Sequence, residues 1–164
     1  MIPAVRLLPL LVACWLVACG SPSEFRGVFE ESGVAGNNRS HALRLTLYEF
    51  SGEVGGHVQF YRLGPGHNPP DNPFFIPETC AWFGPGPRRN DEFLLSAEGI
   101  EGLPLVARIS RDVAADRLIA TFTSSGGLRV RDDAEEAPLP LPTVVVFDRV
   151  RGADADTDCV PGEP

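Results

Sequence analysis

Between Ala42 and Phe50 the sequence alternates without interruption, with Leu43, Leu45 and Leu47 on one side and Arg44, Thr46 and Tyr48 on the other. A period of two residues marks a strand with one face in a core and the other in water. The pattern returns along the chain, closed each time by turn residues. Phe25–Glu30 is a short first candidate. Val54–Leu63 sets Val54, Gly56, Val58 and Phe60 against His57, Gln59 and Tyr61, which puts His57 on the outer, solvent-facing side. Gly55-Gly56 within it predicts a bulge or sharp bend. Glu92–Ala97, Leu103–Ser110, Arg117–Ser124, Leu128–Arg131 and the Val-rich Thr143–Val150 complete about eight strands. No segment sustains a helical period over about ten residues, and Val113–Asp116 fits a single turn. With 17 Gly and 16 Pro among 164 residues, turns are frequent and long helices disfavoured.

Short connections favour antiparallel neighbours, and closing a meander on itself removes exposed sheet edges. The expected fold is therefore all-β: a small antiparallel up-and-down β-barrel over residues 25–151, with a two-sheet β-sandwich as the alternative. Phe25-Arg26-Gly27-Val28-Phe29 ahead of a meander loosely resembles small lipocalin-like envelope barrels. The G-x-W signature of lipocalins is absent, so this resemblance implies an architecture and no ligand.

Two segments read as irregular. Residues 64–89 hold Gly64-Pro65-Gly66, Pro69-Pro70, Pro73, Pro77 and Gly84-Pro85-Gly86-Pro87, a long loop of the kind that is usually functional. Phe74, Phe75, Trp82 and Phe83 lie in it and would either plug one end of the barrel or line a binding mouth for a ligand or partner. Residues 132–142 begin acidic and end Pro-Leu-Pro-Leu-Pro, which predicts extended, polyproline-like chain.

The N-terminus reads as an address. One Arg in Met1–Arg6 precedes Leu7–Ala18, an uncharged apolar run too short to span a bilayer and of the length of a secretory signal core. The run ends Leu16-Val17-Ala18-Cys19-Gly20, which resembles the lipobox of bacterial lipoproteins. The resemblance implies that residues 1–18 are removed and that Cys19 carries diacylglycerol and an acylated amine. Leu11-Val12-Ala13-Cys14 fits the short pattern too, but it leaves a shorter apolar core and is followed by bulky Trp15. With Gly20 rather than Asp after the Cys, the resemblance favours an outer-membrane anchor in a bacterial envelope, the body facing the periplasm or the surface. Residues 19–24 would then be a lipidated end and short linker, and residues 152–164 an acidic tail. An exported compartment permits a disulfide between the two remaining thiols, Cys80 and Cys159. Metal binding by this pair is disfavoured, since there is no C-x-x-C and no His near either one.

Composition narrows function further. The formal net charge is −8, and all 14 basic residues are Arg. Without Lys there is no P-loop, no pyridoxal Schiff base and no kinase strand lysine. An acidic chain is also a poor ligand for nucleic acid. The G-x-S-x-G elbow and H-E-x-x-H are absent, and His41, His57 and His67 are scattered. Asp154, Asp156 and Asp158 begin like a calcium loop but lack its Gly and its closing Glu. The expectation is a membrane-anchored protein without catalytic residues, cofactor or metal, with a binding or interaction role through barrel loops toward a protein or a small hydrophobic ligand. The alternatives are a carrier of a small hydrophobic ligand in the barrel interior and, with only unplaced carboxylates to support it, a hydrolase.

Overall fold

A computed structural model describes residues 25–32, 40–63, 75–132, 135–151 and 159. Cys19, Phe74, Asp154, Asp156 and Asp158 lie outside the described residues. The strands are β1 (Gly27–Glu31), β2 (His41–Phe50), β3 (Glu53–Leu63), β4 (Phe75–Pro87), β5 (Glu92–Glu98), β6 (Pro104–Asp112), β7 (Arg117–Ser125), β8 (Arg129–Asp132), β9 (Glu135–Pro138) and β10 (Thr143–Arg149). A 3-10 turn, Ile100–Gly102, joins β5 to β6. Eight strands form one antiparallel sheet in the order β4-β3-β2-β1-β10-β7-β6-β5. The first and last strands of the chain pair with each other, Phe29 opposite Arg149. The sheet is thus an up-and-down meander, nearly closed into a barrel, with its seam between β4 and β5. The all-β barrel expected from the alternation is the fold observed.

Two irregular segments of the sequence reading are strands instead, and the correction changes which eight strands build the wall. β4 occupies 75–87, within the expected long loop. Pro77 and Pro87 pair with Tyr61 and Glu53 of β3. Proline has no N–H to give a second neighbour, so a proline-bearing strand is tolerated at a sheet edge, and β4 is an edge. The expected seventh strand, β8, leaves the barrel and pairs with β9. The acidic part of the second irregular segment is therefore a hairpin strand, which takes in only Pro138 of the Pro-Leu-Pro-Leu-Pro run. The expected bend at Gly55-Gly56 is present as a register shift of β3 against β4. A Cβ on Gly56 would run into the Thr46 carbonyl oxygen across the β2–β3 pair.

Inward side chains fill the barrel with one continuous core. Phe29, Leu43, Leu45, Leu47, Phe60, Leu95, Leu105, Ile109, Leu118, Phe122 and Phe147 are all fully buried. Antiparallel pairing sorts the connections to two ends. The base carries Phe25, the β2–β3 turn at Ser51-Gly52, the β4–β5 turn and the β6–β7 turn. In that last turn the Asp112 carboxylate accepts from the amides of Ala114 and Ala115, so the single turn expected at 113–116 is present. Phe25 closes the base from inside: its ring meets Phe93 edge-on at 5.2 Å, with the Arg88 guanidinium 5.8 Å above it. The Glu49 carboxylate accepts from the Phe25 amide at 3.0 Å and pairs with Arg88 at 3.1 Å. The opposite end is covered by the root of the β8–β9 hairpin, where Leu128 and Leu139 are buried in the core. There Leu139 donates its amide to the Leu128 carbonyl at 3.0 Å.

Candidate functional site

β5, β6 and β7 alternate buried with more exposed residues, as a wall with one wet face should. β2 does not. Along it Ala42 and Thr46 are as buried as the inward leucines. Register aligns the outward residues Val28, Thr46, His57 and Trp82 in one row across β1, β2, β3 and β4. Val28, Thr46 and His57 of that row are buried, whereas Trp82 at its end is 62 % exposed. The expectation of a surface His57 is corrected: its side chain is 0 % exposed. Trp82 stands edge-on to it at 4.8 Å, with Tyr48 at 6.5 Å.

Among the described residues, neither His57 ring nitrogen nor the Thr46 hydroxyl has a hydrogen-bond partner. Burial lowers the His57 pKa and so disfavours the charged ring. His41, which meets Glu78 at 2.8 Å, is also lowered by burial, with the Glu78 carboxylate opposing the shift. In the unfolded chain an imidazole takes up its proton near pH 6.5, before the buried ring does. The stability tied to neutral His57 is therefore full above about pH 6.5 and falls as the pH drops below it, by at most about 1.4 kcal/mol per pH unit. His57→Phe should flatten the decline between about pH 6.5 and 5, read by urea unfolding at several pH values. An unchanged pH slope would contradict a neutral, buried His57.

Cys80 faces outward beside Gln59 and is bonded to Cys159, their Cα atoms 5.6 Å apart, within the usual range for a disulfide. This is the pairing expected from the sequence. It fixes Cys159 against the outer face of β4, two residues from Trp82 and beside the buried row.

The structure separates Trp82 and Phe83, two of the four aromatics expected to act together. Trp82 and Phe83 are neighbours on β4 and so face opposite sides. Phe83 is buried and stacks on Phe93 at 6.4 Å across the seam, holding β4 and β5 together from inside. Phe75 begins β4. The described members of the cluster thus sit in the barrel wall and not in a loop over its end. Trp82→Ala should cost well below about 3 kcal/mol, the cost of truncating a buried aromatic, since Trp82 is 62 % exposed. Trp82 emission should be red-shifted and quenched by iodide. A large loss of stability would show that Trp82 is part of the core.

Sequence reasoning missed the seam. Among the described residues β4 and β5 are each paired along one side only, apart from a bridge between Arg89 and Glu92. A cleft of about 560 Å³ opens there, lined by Gly86, Pro87, Arg89, Glu92, Phe93, Leu94 and Arg108. Leu94 points out of β5 and is 63 % exposed. An apolar floor at the seam, flanked by Arg89 and Arg108, can receive an extended segment by backbone pairing to β5, whose edge carries no proline and has no strand partner among the described residues. Among the described residues no group of three His, Cys, Asp or Glu is placed to hold a metal ion, and no helix is long and apolar enough to cross a membrane. No family model, curated protein or solved structure matches the chain.

Proposed function

We propose that the chain is an envelope lipoprotein, anchored through Cys19, that binds a protein partner without catalysing a reaction. The observation that carries the binding role is the seam. A barrel interior filled by phenylalanine and leucine leaves its recognition surfaces on the outside. The seam offers the β5 edge, without a strand partner among the described residues, over an apolar floor, and Trp82 adds an exposed aromatic on the adjoining wall. The same filled interior supports an interaction protein over a carrier of a hydrophobic ligand, which would need an apolar cavity of several hundred Å³. The lipobox supports the anchor. With two or more acyl chains on Cys19 the attachment would be stable, where one chain gives only marginal binding.

Cys19→Ser should abolish labelling by radioactive palmitate and leave the precursor uncleaved, while Cys14→Ser should do neither. Labelling blocked by Cys14→Ser alone would place the anchor elsewhere. A photo-crosslinking residue at Leu94 should give a discrete adduct in intact cells. The same residue at Val144, which is 61 % exposed on β10 away from the seam, should not. Equal adducts at both positions, or none at Leu94, would overturn the seam as the recognition surface.

A further inference from the structure

The two most exposed large apolar residues on turns lie at the same end of the barrel. Phe50 enters the β2–β3 turn and is 83 % exposed, and Val113 enters the β6–β7 turn and is 60 % exposed. In the strand order these turns stand on either side of β1 and β10, so the two side chains occupy separated points on one rim. Single exposed apolar residues are ordinary on a protein surface. Here two of them share the rim at which the described chain begins, at Phe25.

Charge divides along the same axis. At the base, Arg88 pairs with Glu49, Arg111 and Arg149 with Asp116, and Arg117 with Asp148. Burial would raise the Asp116 carboxyl, but the Arg149 and Arg111 guanidiniums outweigh it and hold it below the usual carboxylate range. Arg26, Arg89 and Arg151 are exposed there against Glu53, Asp91 and Glu92, leaving the base close to neutral. The far end carries Glu98, Glu101, Glu135 and Glu136 against Arg62 and Arg129. An anionic surface would therefore repel the far end more than the base.

We propose that the base is a lipid-docking face, with Phe50 and Val113 seated in the interfacial region of an anionic phospholipid bilayer and Arg26 and Arg151 against its headgroups. The proposal rests on the anchoring through Cys19 proposed above. The five residues Gly20–Glu24 lie between that anchor and Phe25, and fully extended they reach about 17 Å. A tether of that length keeps the base near the headgroups, so docking adds contacts without a long search. The barrel would then stand end-on, with the acidic end and the β8–β9 hairpin pointing away from the membrane.

The test uses the acylated chain reconstituted in phosphatidylglycerol–phosphatidylethanolamine vesicles whose acyl chains are brominated. In a Trp82→Phe background the processed chain holds a single indole, introduced as Phe50→Trp, Val113→Trp or Val144→Trp. Indoles at 50 and 113 should lose most of their emission to the brominated chains, and the indole at 144 should keep it. Vesicles that carry the protein on flotation but quench positions 50 and 113 no more than 144 would overturn the docking face while leaving the anchor in place. Protein that fails to float with the vesicles would overturn the anchor and the docking face together.

Discussion

Phe25→Ala should destabilise the barrel by about 3–5 kcal/mol, the cost of truncating a fully buried phenylalanine. The ring has no exposed surface, closes the base beneath Arg88 and packs edge-on against Phe93. Removing it leaves a cavity against Phe93, the residue that also stacks on Phe83 to hold the two sides of the seam. The Glu49–Arg88 pair would lose the ring over which Arg88 lies. Denaturant unfolding reads the effect directly. Phe50→Ala, only 25 residues further on but on an exposed turn, should change stability by no more than about 0.5 kcal/mol. Similar losses for the two variants would contradict the packing of the base.

Opening the Cys80–Cys159 bridge has an expected effect of the same size. The bridged residues are 79 apart in sequence, and closing such a loop restricts the unfolded chain by about 4 kcal/mol on the chain-entropy account. The double variant Cys80→Ser/Cys159→Ser should lose about that much, and dithiothreitol should reduce the native protein to the same stability. Because Cys159 is fastened beside the row of Val28, Thr46, His57 and Trp82, amide exchange should rise around His57 and Thr46 more than in β6 and β7. Equal stability of oxidised and reduced protein would remove the bridge as a support of the fold.

The fold was legible wherever one face of a strand is wet. β5, β6 and β7 were read within a residue or two of their observed bounds because Phe93, Leu95, Leu105, Ile109, Leu118 and Phe122 alternate with residues that need no burial. β4 was hidden by Pro77, Pro85 and Pro87, which argue against a strand unless its edge is free, and strand order is not written in local sequence. The β8–β9 hairpin was obscured the same way, since Pro138 sits at the end of an edge strand that looks like polyproline chain. His57 was misplaced for a different reason. Alternation correctly set it on the outer face, but an outer face can be buried, and periodicity does not say which one is. The disulfide was legible because Cys80 and Cys159 are the two thiols left once Cys14 is assigned to the expected leader and Cys19 to the expected lipid anchor. The seam was not, because Phe93 and Leu94 meet Gly86 and Pro87 only through barrel closure.

Mass spectrometry of the N-terminal peptide, taken from the protein in its native membrane fraction, addresses the anchored lipoprotein most directly. The expected peptide begins at Cys19 and carries a diacylglyceryl group on sulfur and an acyl group on its amine. A peptide beginning at Met1, or at Cys19 or beyond with an unmodified amine and a free thiol, would contradict the lipid anchor on which the proposed function stands.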